Sequence, residues 1–74
     1  MKKVQKLTER QRQVLHLLAE GKRMKDVATT LNIRPTTVAF HKYRIMEVLR
    51  AENDADLVKF AVRNHRSLAD LAHS

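Results

Sequence analysis

Apolar residues recur every three or four positions along most of this chain, which is the period of an amphipathic helix. The first run follows Thr8, which fits a capping box with Gln11, and Gly21 supplies a left-handed residue that can end a helix. We therefore predict a first helix from about Glu9 to Glu20. A second, shorter helix is predicted by one apolar stripe made of Met24, Val27, Ala28 and Leu31.

The next residues indicate a tight turn followed by a longer helix. Asn32 tolerates a positive φ better than any residue except glycine, and Pro35 is acceptable only in the first turn of a helix. A third helix is therefore expected from about Pro35 to Arg50. Its inward-facing positions are predicted to be Val38, Ile45 and Leu49.

A fourth helix is predicted to begin after Asn53, whose side chain can cap it. Asp54 and Asp56 fall in its first turn, where the helix dipole favours acids. The predicted fold class is therefore all-α, with four helices. The chain divides into a basic arm or linker over residues 1–6, one domain over 7–66 and a C-terminal tail over 67–74.

Composition and charge narrow the class of protein. A chain of 74 residues holds at most one small domain, and the absence of cysteine favours a reducing, cytoplasmic location. No apolar run approaches the ~20 residues that span a bilayer, so we expect no membrane contact. Fifteen Lys and Arg against eight Asp and Glu give a formal charge of +7. Such charge favours a polyanionic partner, although it could also serve only to keep a small domain in solution.

The candidate chemical groups do not form a catalytic or metal site. Asp54 and Asp56 fit helix-start acids better than a catalytic dyad, and His16, His65 and His73 lack the paired spacing of metal ligands. There is no nucleophile–base constellation and no glycine-rich loop for a phosphate. We therefore expect no enzymatic activity, no metal and no cofactor.

The second and third predicted helices meet the positional requirements of a helix-turn-helix. Ala28 is small where the two helices would cross, Asn32 lies at the turn, and Val38 anchors the second helix of the pair. The interior beside the turn would be filled by Val27, Leu31 and Ile33. A helical hairpin from an unrelated bundle would satisfy only one or two of these requirements.

Four segments occur in a fixed order: LTERQRQVLHLLAEG, KDVATTLNI, TVAFHKYRIMEVL and NDADLV. Together they resemble the four helices of the LuxR/FixJ/NarL-type DNA-binding domain of bacterial transcription regulators, over roughly residues 7–62. The chain departs from that pattern at Arg23 and Met24, which replace a small polar pair. Further departures are Arg34, in place of a capping Ser, and Arg50, in place of Gly.

The resemblance implies that the third helix enters the major groove of double-stranded DNA. It implies base-edge roles for Ala39, Phe40 and Tyr43, and the first two can pack only against apolar groups such as a thymine methyl. We therefore expect thymines under the centre of the helix. The expected phosphate contacts are Lys25, Arg34, Thr36, Thr37, His41, Lys42 and Arg44. Three alternatives stay open. His41 could be a packed interface histidine, Phe40 could be buried against a neighbouring domain, and the cluster of Lys22, Arg23 and Lys25 could be an ordinary solvated one.

The fourth helix carries more apolar residues than a small core requires. An apolar strip is expected to remain on it, consisting of Leu57, Val58, Ala61 and Val62. In the resembled family this helix pairs across a two-fold axis, which implies a homodimer on DNA and a monomer at low concentration. The alternative is that the strip packs on the first helix within one chain.

The leading interpretation is sequence-specific DNA binding in transcription control. The domain would be the effector of a two-component response regulator or a small stand-alone regulator, with RNA polymerase as a further candidate partner. One alternative is promoter recognition of the kind made by sigma-factor region four. Another is a protein-interaction module that uses Phe40, Tyr43 and the fourth helix. The sequence holds no receiver region, so we expect signals to reach it from elsewhere.

Overall fold

The computed structural model describes residues 6–63, which form four α-helices joined by short turns. The helices are α1 (Glu9–Ala19), α2 (Met24–Leu31), α3 (Pro35–Leu49) and α4 (Asp54–Arg63). No strand occurs within these residues, and the prediction of an all-α fold is confirmed. None of these helices is long and apolar enough to cross a bilayer. The predicted tail, the last residues of the predicted domain and all of the predicted arm except Lys6 lie outside the described residues.

Side chains fix the beginnings of α1 and α4. The Gln11 N–H donates to Thr8 Oγ1 at 3.1 Å and the Thr8 N–H donates to Gln11 Oε1 at 2.9 Å, so the predicted capping box is present. At α4 the Asp56 N–H donates to Asn53 Oδ1 at 2.9 Å, which confirms the asparagine cap. The other two helices follow arginines whose side chains make no capping hydrogen bond, while Pro35 occupies the first turn of α3 as predicted.

The first three helices end in the same way. Each is followed by a residue with positive φ: Gly21 at 85°, Asn32 at 57° and Arg50 at 56°. The N–H of the next residue then donates back to a carbonyl of the last turn, as in a Schellman motif. These bonds run from Lys22 to Leu17 at 3.3 Å, from Ile33 to Ala28 at 3.0 Å and from Ala51 to Met46 at 3.0 Å. The predicted ends at Glu20 and Arg50 are therefore one residue too long.

The core lies where α1 crosses the other three helices and α3 packs on α2. Its buried apolar residues are Leu7, Val14, Leu15, Val27, Ala28, Val38, Ile45, Leu49, Leu57 and Ala61. The three inward positions predicted for α3 are all among them. Burying these side chains against α1 and α2 holds α3 firmly by one face and leaves its opposite face outward.

The structure corrects the expected apolar strip on the fourth helix. Leu57 and Ala61 are buried in the core because α4 packs on α1, as in the alternative considered from the sequence. The expectation that they remain on the surface is therefore wrong. Only Val58 and Val62 stay exposed, at 45% and 60%.

Candidate nucleic-acid interface

Helices α2 and α3 form a helix-turn-helix. Ala28 and Val38 are both buried, and the hydrogen bond from Ile33 to Ala28 closes the turn around the left-handed Asn32. Leu31 and Ile33 pack against the core beside them. The packing predicted for this motif is confirmed, and it holds α3 at the surface of the domain as its second helix.

The outer face of α3 carries one continuous row of exposed side chains. This row, called the outer stripe below, consists of Thr36, Phe40, Tyr43 and Glu47. Its members are spaced by four, three and four residues, so they share one helix face. Phe40 and Tyr43 are each 62% exposed and occupy its centre. Two neighbouring aromatic residues that are this exposed make the outer stripe a candidate contact surface.

Three residues lie beside the outer stripe. Ala39 is only partly exposed. Of the three predicted base-contact residues, it therefore lies at the edge of the exposed face, and Phe40 and Tyr43 lie at its centre. His41 is partly buried and its ring meets that of Phe40 edge-on, with 6.0 Å between centroids. Its Nδ1 is buried and has no hydrogen-bond partner among residues 6–63. Thr37 is partly exposed.

Most of the cations predicted to contact phosphate are exposed. Lys25 lies in the first turn of α2, and Arg34 immediately precedes α3 next to the exposed Thr36. Arg44 flanks the outer stripe, where its Nη1 lies 3.6 Å from Glu47 Oε1. That pair is well exposed on both sides, so it holds Arg44 only weakly.

Lys42 is placed differently from the prediction. Its Nζ lies 3.1 Å from Asp54 Oδ1, and its side chain is 14% exposed. The ammonium also lies 5.6 Å from the centroid of the Tyr43 ring. Lys42 lines a shallow pocket of about 300 Å³ that Met24, Leu57 and Val58 also border. It is therefore not a free cation of the outer stripe but a link between α3 and the start of α4.

Charge is distributed unequally along the helix-turn-helix. Residues 22–46 carry six Lys and Arg against a single acid, Asp26. Residues 47–56 carry four acids and one cation, Arg50. The first part of α3 is thus flanked by positive charge, and its C-terminal end is acidic. Residues 6–63 contain no group of three or more His, Asp or Glu side chains placed to hold a metal ion.

The sequence reasoning did not identify Glu47 and Asp54 as parts of this site. Glu47 could have been found from its spacing, because it lies four residues after Tyr43 on the same helix face. Asp54 gave no such signal, since its partner Lys42 belongs to another helix.

A helix-turn-helix whose second helix presents such a face is the DNA-binding module of transcription regulators. This chain belongs to the family described as bacterial regulatory proteins, luxR family, which it matches over residues 5–61. The resemblance inferred from the sequence motifs is thereby confirmed.

Several curated proteins are similar to the chain. It is 42% identical over 53 residues to the transcriptional regulatory protein UhpA of Escherichia coli K12, covering 72% of this chain and 27% of that protein. It is 29% identical over 58 residues to the response regulator UvrY of the same strain, with coverages of 78% and 27%. It is 37% identical over 60 residues to the transcriptional regulatory protein FixJ of Rhizobium meliloti, with coverages of 81% and 29%. The chain thus spans less than a third of these relatives. No solved structure matches it.

Proposed function

We propose that this domain binds double-stranded DNA sequence-specifically, with α3 in the major groove, as the effector domain of a response regulator. The observation that carries the proposal is the outer stripe, whose two exposed aromatics lie on the second helix of a helix-turn-helix. Residues 22–46, which include that helix-turn-helix, carry six Lys and Arg against one acid. The names of UhpA, UvrY and FixJ support the regulatory role. This role would place the domain in the bacterial cytoplasm, with its DNA target.

The proposed contacts to bases come from Phe40 and Tyr43, with Ala39 at the margin. The proposed contacts to phosphate come from Lys25, Arg34, Thr36, Thr37, His41 and Arg44. We leave Lys42 out of this set because its ammonium is already paired with Asp54. Phosphate contacts would set register and affinity, while contacts to base edges would set specificity.

The charge distribution supports one orientation on the duplex. Phosphates would attract cations that lie before α3, such as Lys25 and Arg34, and would repel the four acids of residues 47–56. The N-terminal half of α3 would therefore lie deepest in the groove, which is the arrangement common to helix-turn-helix proteins.

We propose that α4 forms a homodimer only when two domains lie on the same duplex. Val58 and Val62 are exposed and one turn apart, but two valines bury far less area than a stable interface of about 1,200–2,000 Å² requires. DNA would supply the missing affinity by holding two copies close together. Sedimentation with duplexes carrying one or two half-sites tests this, and equal affinity per half-site would argue against pairing.

A mobility-shift titration tests the central proposal. Random duplex should be shifted at low salt and released at moderate salt, because phosphate contacts dominate non-specific binding. Selection from a random duplex pool should then yield a defined sequence. The interaction-module alternative predicts no shift at any salt concentration.

Promoter recognition of the sigma type is disfavoured by the apolar α4 that follows α3. We assign no residue of this domain to a contact with RNA polymerase.

A further inference from the structure

We infer that Phe40 reads the methyl group on C5 of a pyrimidine and not the identity of the base, so that 5-methylcytosine can replace thymine in the target. This inference rests on the proposed DNA-binding function and specifies the ligand of the outer stripe. Cytosine methylation in the target would then raise the affinity of the domain, which makes it an input to regulation.

The centre of the outer stripe cannot form the usual bidentate contacts to bases. Those contacts require Arg or Lys for guanine and Asn or Gln for adenine. The central positions hold Phe40 and Tyr43, and the guanidinium of Arg44, which follows Tyr43 in the chain, lies 3.6 Å from the Glu47 carboxylate. The phenyl ring of Phe40 has no hydrogen-bonding group, and 62% of the residue is exposed to whatever docks there.

The major groove offers one apolar group to such a ring. Among the four bases only thymine carries a methyl group at C5. 5-Methylcytosine carries the same methyl at the same ring position and differs from thymine at C4, where an amino group replaces the carbonyl. A phenyl ring contacts the methyl and cannot distinguish the C4 groups. The Tyr43 hydroxyl could distinguish them only if it reached the same base.

The cations around the helix-turn-helix favour DNA over a protein as the partner of this apolar face. Residues 22–46 have a large excess of Lys and Arg, and the phosphates of a duplex would flank any helix lying in its groove.

One methyl group buried against the Phe40 ring should raise the affinity for DNA by roughly four-fold. If a dimer reads the same methyl in two half-sites, the affinity should change by the square of that factor.

The test compares selection from three random duplex pools: ordinary DNA, DNA with uracil in place of thymine, and DNA with 5-methylcytosine in place of cytosine. We expect particular positions to require thymine in the ordinary pool. At those positions, sequences selected from the uracil pool should show no preference for uracil. Sequences selected from the methylcytosine pool should carry either thymine or 5-methylcytosine there. Single replacements in the selected duplex should then change affinity by roughly four-fold per methyl.

Variants separate the methyl contact from its neighbours. Phe40→Ala should bind thymine and uracil duplexes equally while keeping its salt dependence, whereas Phe40→Leu and Tyr43→Phe should keep the methyl effect. Circular dichroism checks that each variant is folded, and the exposure of both side chains makes unfolding an unexpected result.

Two results would overturn the inference while leaving DNA binding intact. One is a required thymine that uracil replaces without loss. The other is a methylcytosine pool that still demands thymine at every such position. If the ordinary pool shows no enrichment and no duplex is shifted, the proposed function fails and the inference fails with it.

Discussion

Arg50 adopts a backbone conformation that its side chain disfavours. Its φ of 56° is left-handed, as are those of Asn32 and Gly21 at the ends of the two preceding helices. The left-handed region costs a non-glycine residue about 1–2 kcal/mol, and asparagine is the residue that bears the cost best after glycine. Arg50 therefore carries local strain at the end of α3.

We expect Arg50→Gly to raise the free energy of unfolding by about 0.5–1 kcal/mol. Relief of strain should exceed the roughly 0.5–1 kcal/mol of extra chain entropy that glycine loses on folding. Urea titration at an unchanged m-value measures the shift. The matched control is Arg44→Gly in the interior of the same helix, which should lower stability by about 1 kcal/mol. A loss of stability in both variants would show that the Arg50 side chain contributes more than its backbone costs.

The structural features that could be predicted from the sequence are those set by residues close together in the chain. The Thr8 capping box, the Asn32 turn and the position of Pro35 each depend on residues within one helical turn, so all three were predicted. The burial of Leu57 and the pairing of Lys42 depend on contacts between helices, which no local pattern specifies. For the same reason the outer stripe was predictable from spacing, whereas the availability of each cation was not.

Helix α3 carries core residues on one face and the proposed DNA contacts on the other. Ile45 is fully buried and Phe40 is largely exposed, although both are large apolar residues of the same helix. Ile45→Ala should lower the free energy of unfolding by about 2–5 kcal/mol through the cavity it leaves.

Phe40→Ala is expected to change the free energy of unfolding by no more than about 0.5 kcal/mol, because most of the residue is exposed to solvent. Its affinity for a selected duplex should fall by roughly four-fold or more for each methyl group that the ring contacts. Urea titration and mobility shift measure the two quantities. An affinity equal to that of the wild type would remove Phe40 from the interface.

The contact between Lys42 and Asp54 joins α3 to the start of α4. A double-mutant cycle with Lys42→Ala and Asp54→Ala should give a coupling energy of about 0.2–1 kcal/mol, because Asp54 is largely exposed and water screens the pair. Lys42→Ala should also leave the salt dependence of DNA binding unchanged. In Arg34→Ala the slope of log K against log salt should become less steep by about 0.9. Equal changes in both variants would restore Lys42 to the phosphate contacts.

The proposed orientation of the domain on DNA rests on its uneven charge. Lys25 and Lys59 are both exposed lysines, but Lys25 lies on α2 within the cationic segment and Lys59 lies on α4 after the acidic one. If only the cationic segment contacts phosphates, Lys25→Ala should flatten the slope of log K against log salt by about 0.9, and Lys59→Ala should leave it unchanged.

The pair is informative because each variant removes the same charge, so the net charge of the domain falls equally in both. An effect of net charge alone would lower affinity similarly in the two variants. Different slopes would therefore show that the position of the lysine matters, and they would support the helix-turn-helix as the side of the domain that faces the duplex. Equal slopes would contradict the proposal that the cationic segment alone contacts the phosphates.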